Sequence, residues 1–241
     1  MQRAATPERM DADDIDQREI DQSFRFIRTI NRRLGGISSL RSLFAAQAST
    51  WPRDRPMRWL DVGTGAADIP LAIDAWAVAH GFDVECVALD RHQACLKVAR
   101  NDVGAHPRIT VVDGDALVLD RFNDASFDYV HAGMFLHHLT DDDVVRVLAG
   151  MARCAARQII WNDLLRSPLS RVGIALLTIG AASVVRDDAR LSVAKGFTPR
   201  EIRALAKRAQ LVDERLTLRR LVGRFVFTAS AGRSRHGAPR P

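Results

Sequence analysis

The sequence is poor in cysteine. It contains three, Cys86, Cys95 and Cys154, and no two of them form a CxxC pair. Three thiols at these positions are too few for a disulfide framework, which excludes the class of small secreted domains held together by disulfides. We therefore expect a protein of the reducing cytoplasm.

Long apolar runs are missing as well. The longest, VGIALLTIGAASVV at residues 172–185, is too short to span a bilayer comfortably. The first residues lack the apolar core of a secretory signal peptide. We expect no transmembrane segment, although this apolar run leaves room for peripheral contact with a membrane.

Acidic residues become scarce toward the end of the chain. Residues 8–21 are mostly acidic, whereas arginine and lysine dominate from Arg186 onward, and the net charge is +6. Many of these basic residues lie on faces of predicted helices, where exposure to solvent accounts for them. We expect no specific nucleic-acid partner.

The length of 241 residues suits one large domain with a sizeable core. Residues 1–54 read as an acidic, partly disordered N-terminus followed by a helical cap. Residues 55–230 form the main domain, and residues 231–241 read as a disordered basic tail. Residues 1–20 in particular have the composition of a poorly ordered segment.

Strand-like and helical segments alternate within the main domain. Single strands are predicted at 58–62, 84–90, 108–115, 127–132 and 158–163, and an antiparallel strand pair at 215–229. Such alternation predicts an α/β fold, in which a mostly parallel sheet has helices on both faces. Ligands of such sheets bind at the carboxyl ends of the strands, near the point where the strand order reverses.

The stretch WLDVGTGAADIP, residues 59–70, lacks the third glycine of a dinucleotide-binding loop, since position 68 is aspartate. Gly63 and Gly65 let a ligand approach the backbone closely. A pyrophosphate would be repelled by Asp61, whereas a ligand with an ammonium group would gain from this carboxylate. S-adenosylmethionine carries an α-amino group, a sulfonium, a ribose and an adenine, and it is the ligand that this turn predicts.

Two further carboxylates follow the next strands. Asp90 ends the second strand, where a carboxylate accepts both ribose hydroxyls, and Asp115 follows the third strand, where it accepts from the adenine amino group. Each residue taken alone is also consistent with a loop aspartate or a helix cap. Three carboxylates at three successive strand ends favour a binding site.

With these motifs, residues 55–230 resemble the class I S-adenosylmethionine-dependent methyltransferases. The matching segments are LDVGTGAADIP, VALD, VVDGDA and SFDYVHAGMFLHHL. The resemblance implies a Rossmann-like sheet of seven strands, one of them antiparallel near the carboxyl end. The residues expected to hold the cofactor are Asp61, Gly63, Gly65, Asp90, Arg91, Asp115, Ala116 and His131. The branch that methylates lipophilic quinols, phenols and polyketides is the most similar.

The fourth strand indicates the type of acceptor. Methyltransferases that modify nucleobase amino groups resemble one another in an Asn- or Asp-Pro-Pro-aromatic run at this place, and the present chain has HAGMFLHH instead. This argues against exocyclic amines. We expect methyl transfer to an oxygen, in preference to a carbon, of a lipophilic small molecule in secondary metabolism.

Three histidines cluster around the end of the fourth strand, His131, His137 and His138. An imidazole is suited to take the proton of a phenol at neutral pH. We choose His138 over His137 as the base and place Asp163, at the end of the fifth strand, in the catalytic set. The histidine pair is also consistent with a structural turn, and Asp163 with a helix cap. Because ligand spacing is missing, no metal is expected.

Residues 166–197 are extra length after the fifth strand and predict a lid over the active site. Ile174, Leu177 and Ala181 lie at helical spacing within it. The expected substrate residues are Asn162, Leu177 and Arg186, and the N-terminal helices would form the other wall of the pocket. An ordinary amphipathic core helix is the alternative.

Two other functions stay open. The basic C-terminal half is consistent with an RNA or protein methyltransferase, and the fold alone is consistent with a nucleotide- or nucleic-acid-binding module that has lost the chemistry. The sequence specifies neither the acceptor nor the oligomeric state, and it is compatible with a homodimer.

Overall fold

The computed structural model describes residues 3–12 and 15–231 of the chain. The strands are Met57–Val62 (β1), Val84–Asp90 (β2), Ile109–Asp113 (β3), Phe127–Gly133 (β4), Ala155–Leu164 (β5), Val212–Arg219 (β6) and Arg224–Ser230 (β7). The α-helices are Gln17–Arg33 (α1), Gly36–Gln47 (α2), Asp68–Ala79 (α3), Gln93–Val103 (α4), Asp141–Cys154 (α5), Pro168–Leu177 (α6), Ser183–Lys195 (α7) and Pro199–Arg208 (α8).

One sheet carries all seven strands, in the order β3-β2-β1-β4-β5-β7-β6. β1 pairs in parallel with both β2 and β4, so that Trp59 stands opposite Cys86 on one side and Tyr129 on the other. β7 is antiparallel to β5 and to β6. The predicted mostly parallel seven-stranded α/β sheet is confirmed. The strand order reverses between β1 and β4, and this places the binding crevice at their carboxyl ends.

The central strands are buried because helices cover both faces of the sheet. On one face α5 and α8 pack through Val144, Val147, Ile202 and Leu205. On the other face α2 and α3 pack through Phe44 and Ile73, together with an aromatic group made of Trp51, Trp59 and Tyr129. The sheet is thereby held rigidly behind the crevice.

The region between β5 and α8 forms two helices rather than one. The spacing of Ile174, Leu177 and Ala181 predicted a continuous helix, but α6 ends at Leu177 and Gly180 follows with φ of 76°. A left-handed residue cannot continue an α-helix, so the chain turns there and α7 begins at Ser183. α6 and α7 pack against each other, and α7 also packs against α1.

The described N-terminal residues make specific contacts with the rest of the protein. Asp16 caps α1 by accepting the Arg18 N–H, so the helix begins at Gln17, and Ile20 and Phe24 are buried. Before it, residues 3–10 lie along α7 and are called the N-terminal strap here. The disorder expected for residues 1–20 stays a prediction, while the described contacts, such as those of Arg9 and Met10 with Asp188, are ones that composition does not reveal.

The predicted disordered tail, residues 231–241, lies outside the described residues except for Ala231. Ala231 is buried, and its N–H donates to the Arg157 carbonyl at 3.0 Å. Among the helices that the structure describes, none has both the length and the apolar character that crossing a bilayer requires.

Candidate functional site

A glycine turn follows β1 and faces the crevice. Gly63 and Gly65 have φ of 69° and 57°, in the left-handed region that favours glycine. The N–H groups of Gly63 and Thr64 both donate to the Leu89 carbonyl, at 2.9 and 3.0 Å. The Gly65 N–H donates to Asp90 Oδ2 at 2.8 Å. The turn is therefore held against the end of β2, with its open side toward the cavity.

Asp61 lies beneath this turn and is 3% exposed. One oxygen of its carboxylate, Oδ1, lies 2.6 Å from His131 Nδ1, and the other, Oδ2, accepts the Thr64 hydroxyl at 2.7 Å. A carboxylate offers about four acceptor positions. Asp61 can therefore accept further hydrogen bonds from a ligand ammonium group. His131 is fully buried behind Asp61 and does not line the cavity, so the direct cofactor contact expected of it is replaced by a positioning contact.

Asp90 and Asp115 border the same cavity at the ends of β2 and β3. Asp90 Oδ1 accepts the His92 N–H at 2.9 Å, and burial raises the pKa of Asp90. Asp115 Oδ1 accepts the Leu117 N–H at 2.8 Å, while its Oδ2 accepts from Arg91 at 3.1 Å. Both side chains thus combine a local capping role with a place at the cavity wall.

The cavity has a volume of about 430 Å³. The predicted residues that line it are Asp61, Gly63, Gly65, Asp90, Arg91, Asp115, Ala116, His137 and His138. Around the glycine turn the lining side chains include carboxylates, among them Asp68 at the start of α3, and these would repel a pyrophosphate. They fit a nucleoside that carries an ammonium and a sulfonium, as S-adenosylmethionine does.

Asp68 belongs to a buried polar network that joins three elements. Its carboxylate accepts from Asn31 Nδ2 at 3.1 Å, and Asn31 Oδ1 accepts from Arg224 at 2.8 Å. Burial raises the pKa of Asp68 and lowers the pKa of Arg224 to about 10. Arg224 thus stays charged at neutral pH and ties β7 to α1 at the edge of the cavity.

His137 lines the cavity and forms a buried pair with Asp163. His137 Nδ1 lies 2.7 Å from Asp163 Oδ1, and the backbone N–H of His137 donates to Asp163 Oδ2 at 3.3 Å. Burial acts to raise the pKa of Asp163, but His137 and the N–H of Leu164 outweigh it, and the pKa is lowered. An ionised Asp163 keeps the proton on Nδ1 and leaves the Nε2 lone pair of His137 for another partner.

His138 is more exposed than His137, and its ring centroid lies 4.3 Å from that of His137. The sequence favoured His138 as the base. The geometry favours His137, because the carboxylate of Asp163 orients its ring. Among the described residues, Nε2 of His137 makes no hydrogen bond, and the atom is buried.

The three expected substrate residues do not line the cavity. Asn162 is buried, and its Nδ2 donates to the Gly36 carbonyl at 3.1 Å. Leu177 is the last residue of α6, and its side chain is 52% exposed. Arg186 points to solvent and pairs with Asp187. From the predicted lid, the residues at the cavity are Ile174, Val185, Asp188, Ala189, Ser192, Val193 and Lys195.

The sequence analysis missed Glu8, Ser192 and Lys195. Glu8 is buried, its Oε2 accepts the Ser192 hydroxyl at 2.8 Å, and its Oε1 lies 3.3 Å from Lys195 Nζ. Ser192 and Lys195 share the buried face of α7 with Val185, Ala189 and Val193, and a lysine beside these apolar residues was a usable signal. Glu8 lies in a polar segment, and no sequence pattern marked it as a site residue.

Glu8, His137 and His138 also bring three potential metal ligands within 4.8 Å of one another. No metal was expected from the sequence spacing, and these residues come together only through the fold. The ammonium group of Lys195 stands beside the same Glu8 oxygen, so a cation of the chain itself already faces this carboxylate. A divalent ion would be repelled there.

Part of the chain is similar in sequence to known methyltransferases. Residues 60–158 match the family described as "Methyltransferase domain". The chain is 38% identical over 94 residues to a demethylmenaquinone methyltransferase of Lysinibacillus sphaericus strain C3-41. This match covers 39% of the chain and 38% of the length of that relative.

Solved structures share the fold at low identity. The plantazolicin methyltransferase BamL, solved with a desmethyl analogue and S-adenosylhomocysteine, has a TM-score of 0.66 at 12% identity, covering 88% of this chain and 90% of its own. The magnesium protoporphyrin IX methyltransferase of Synechocystis PCC 6803 has a TM-score of 0.55 at 13% identity, covering 83% and 85%. The matched domain, the glycine turn and the sheet order together support a class I S-adenosylmethionine-dependent methyltransferase.

Proposed function

We propose that this protein transfers the methyl group of S-adenosylmethionine to a hydroxyl oxygen of a lipophilic small molecule. The observation that carries the proposal is the Asp163–His137 pair, which presents a base at the wall of the cavity that also holds the glycine turn. Oxygen acceptors need such a base, because a neutral hydroxyl is a poor nucleophile. A carbon acceptor with an ionised ring hydroxyl would need it less.

The cofactor side of the cavity is assigned to the strand-end residues. Asp61 would accept the α-ammonium group, Asp90 the ribose hydroxyls and Asp115 the adenine amino group, with Gly63 and Gly65 allowing close approach. The cofactor supplies an electrophilic methyl group on a positively charged sulfur, which leaves as a neutral thioether. The carboxylates orient it, so that positioning contributes much of the rate.

On the acceptor side, His137 Nε2 takes the hydroxyl proton while the oxygen attacks. Asp163 then lies 2.7 Å from Nδ1 of the resulting imidazolium and stabilises its charge. The displacement leaves one proton on His137, which passes to water after product release. His138 lies beside this ring and contributes to the polarity of the acceptor site.

The walls of the acceptor side favour a small lipophilic molecule over a macromolecule. The N-terminal strap and the helices α1, α6 and α7 border the cavity. Their apolar lining residues include Phe24, Ile27, Ile30, Ile174, Val185 and Val193. An apolar cavity with a few polar groups is typical of small-molecule sites. A base in folded RNA or a protein side chain would need a more open approach.

Two buried thiols support the proposal that the enzyme works in the cytoplasm. Cys86 and Cys154 are buried, and burial raises the pKa of both thiols. Such thiols are poorly reactive, and a reducing compartment suits them.

The test is methyl transfer from labelled S-adenosylmethionine to a panel of hydroxyaryl compounds, with total RNA and a protein extract as parallel acceptors. We expect label in organic-extractable products, identified as methyl ethers by mass spectrometry. An Asp90→Ala variant provides the control that the label depends on this site. Label confined to RNA or protein would contradict the proposal, as would a product methylated at carbon.

A further inference from the structure

Four side chains surround the carboxylate of Glu8. Ser192 donates to Oε2 at 2.8 Å, and Lys195 Nζ lies 3.3 Å from Oε1. His137 Nε2 and His138 Nδ1 lie 3.8 and 3.9 Å from the same Oε1. The Glu8 side chain is 1% exposed and the Lys195 side chain 4%. These groups form a buried subsite for an anion, next to the proposed base.

The anion that occupies this subsite is the Glu8 carboxylate. The N-terminal strap, which carries Glu8, is anchored at both ends. Arg3 donates to the carbonyls of His137, Leu139 and Lys195. Its guanidinium stacks over the Phe197 ring. At the other end, the backbone N–H groups of Arg9 and Met10 donate to the Asp188 carboxylate at 2.8 and 3.0 Å. The part of the N-terminal strap between these two anchors, residues 5–7, is exposed and lies outside any helix or strand.

Glu8 stands in the way of the acceptor. The strap residues Ala5, Pro7 and Glu8 border the same cavity as His137, and Glu8 Oε1 faces Nε2 of this histidine. An acceptor hydroxyl has to come within about 3 Å of Nε2 to give up its proton. Glu8 must therefore move aside before the reaction. A segment with few buried apolar contacts opens more readily than the helices around it.

The group that takes the place of Glu8 must replace its ion pair with Lys195. Removing one member of a buried charge pair is strongly unfavourable, whereas exchanging one anion for another is not. A neutral acceptor would offer no such exchange. The subsite therefore discriminates by charge as well as by shape.

We propose that Glu8 occupies the position of an acidic group of the acceptor, and that the acceptor is a lipophilic hydroxyaryl compound that also carries a carboxylate. The carboxylate binds Lys195 and Ser192 as the strap opens. This inference deepens the proposed function and rests on it, since it assigns the class of substrate to the same site. A metal ion bound by Glu8, His137 and His138 is the rival use of these residues.

The probes are 6-hydroxy-2-naphthoate and its primary amide, which differ little in shape but differ in charge. Their binding to the full chain is measured by calorimetry in the presence of S-adenosylhomocysteine. We expect the carboxylate to bind at least about tenfold more tightly than the amide, as for a charge-assisted contact. In Glu8→Ala, which lacks the competing anion, the affinity for both probes rises, and the carboxylate still binds more tightly than the amide because Lys195 remains.

Lys195→Met removes the cationic partner and should abolish the preference for the carboxylate. Two exposed residues provide matched controls, Lys207→Met for the lysine and Glu214→Ala for the glutamate, and both should behave as the wild type. If Lys195→Met fails to fold, hydrogen exchange on the wild type replaces it. The amides of Arg9 and Met10 should exchange faster with the naphthoate than with the naphthamide.

Equal binding of the two probes to Glu8→Ala would overturn the inference, as would a carboxylate preference that survives in Lys195→Met. Stoichiometric Zn²⁺ binding that Glu8→Ala abolishes would also overturn it in favour of a metal site. Failure of the proposed function is separately visible. In that case the naphthoate would bind as expected, yet neither it nor the neutral 2-naphthol would accept a methyl group.

Discussion

His137 Nδ1 lies 2.7 Å from Asp163 Oδ1, although the two residues come from different segments of the chain. His137 belongs to the short helix Leu136–His138 after β4, and Asp163 lies near the end of β5. Parallel pairing of β4 with β5 brings these ends together, so that Gly133 stands opposite Asn162. The sheet thus assembles the pair, and His137 borders the cavity.

We predict that His137→Ala lowers turnover by about 10²- to 10⁴-fold, the usual cost of removing a base. Affinity for S-adenosylhomocysteine should stay within a factor of about two, because the cofactor residues are separate. Turnover should recover partly at high pH, where a phenol ionises unaided. Steady-state kinetics and calorimetry measure both quantities.

His138→Ala is the matched comparison, since this ring lies 4.3 Å from that of His137, whereas the Asp163 carboxylate pairs with His137. We expect a smaller loss of turnover than in His137→Ala. The reverse order of the two variants would restore His138 as the base, as the sequence alone suggested.

A second prediction concerns the charge of Asp163. The pKa of Asp163 is lowered in the folded protein, so its ionised form stabilises the fold above its ordinary pKa near 4. This contribution is lost as the pH falls through the lower, folded value. Asp163→Asn should therefore be less stable than the wild type by a constant amount between about pH 5 and 8, and the difference should shrink below about pH 4. Urea unfolding measures it.

The same variant should lose turnover, because an amide no longer fixes the proton of His137 on Nδ1. A difference in stability that persists unchanged into acid would show that shape rather than charge is responsible. Asp142→Asn, at an exposed position in the first turn of α5, serves as the control.

The third prediction tests the cofactor side. Asp61→Asn and Asp90→Ala should each weaken S-adenosylmethionine binding by about 1–3 kcal/mol, as expected for a lost charge-assisted hydrogen bond. Asp61→Asn should also lower stability, since Asp61 accepts from Thr64 and contacts His131. Calorimetry with S-adenosylhomocysteine and with NADH provides the measurement. Tighter binding of NADH would reject the assignment.

The fourth prediction concerns the lid. Leu177 is half exposed and lies away from the cavity, so Leu177→Ala should leave the Michaelis constant of the acceptor nearly unchanged. Val185 is buried at the cavity wall on α7, and Val185→Ala should raise this constant several-fold through lost apolar contact. A larger effect at Leu177 than at Val185 would show that the two lid helices rearrange when the acceptor binds.

The sheet and the cofactor turn were predictable because they depend on local patterns. The second strand was predicted at its observed bounds. The carboxylates at the ends of β1 and β2 follow directly from where the strands end. The antiparallel pair at the end of the chain was also confirmed.

The acceptor side was less predictable because its contacts join residues far apart in the chain. The contact between Glu8 and Lys195 spans most of the protein, and no sequence pattern marks it. At Gly63 the sequence indicated room for a ligand, but the structure shows that an added Cβ would lie 2.3 Å from the Phe135 ring. Substituting Gly63 would therefore displace Phe135 first, and cofactor loss in such a variant would have two causes.

The polar edge strand β6 has a consequence for how copies of the protein meet. One side of β6 pairs with β7, where a bulge between Val212 and Arg215 interrupts the register, while the other side lies at the end of the sheet. Charged side chains such as Asp213 and Glu214 stand exposed beside this bulge. Irregular, charged edges resist strand-to-strand association. If the protein dimerises, we therefore expect the two sheets to remain separate and the contact to form through helices.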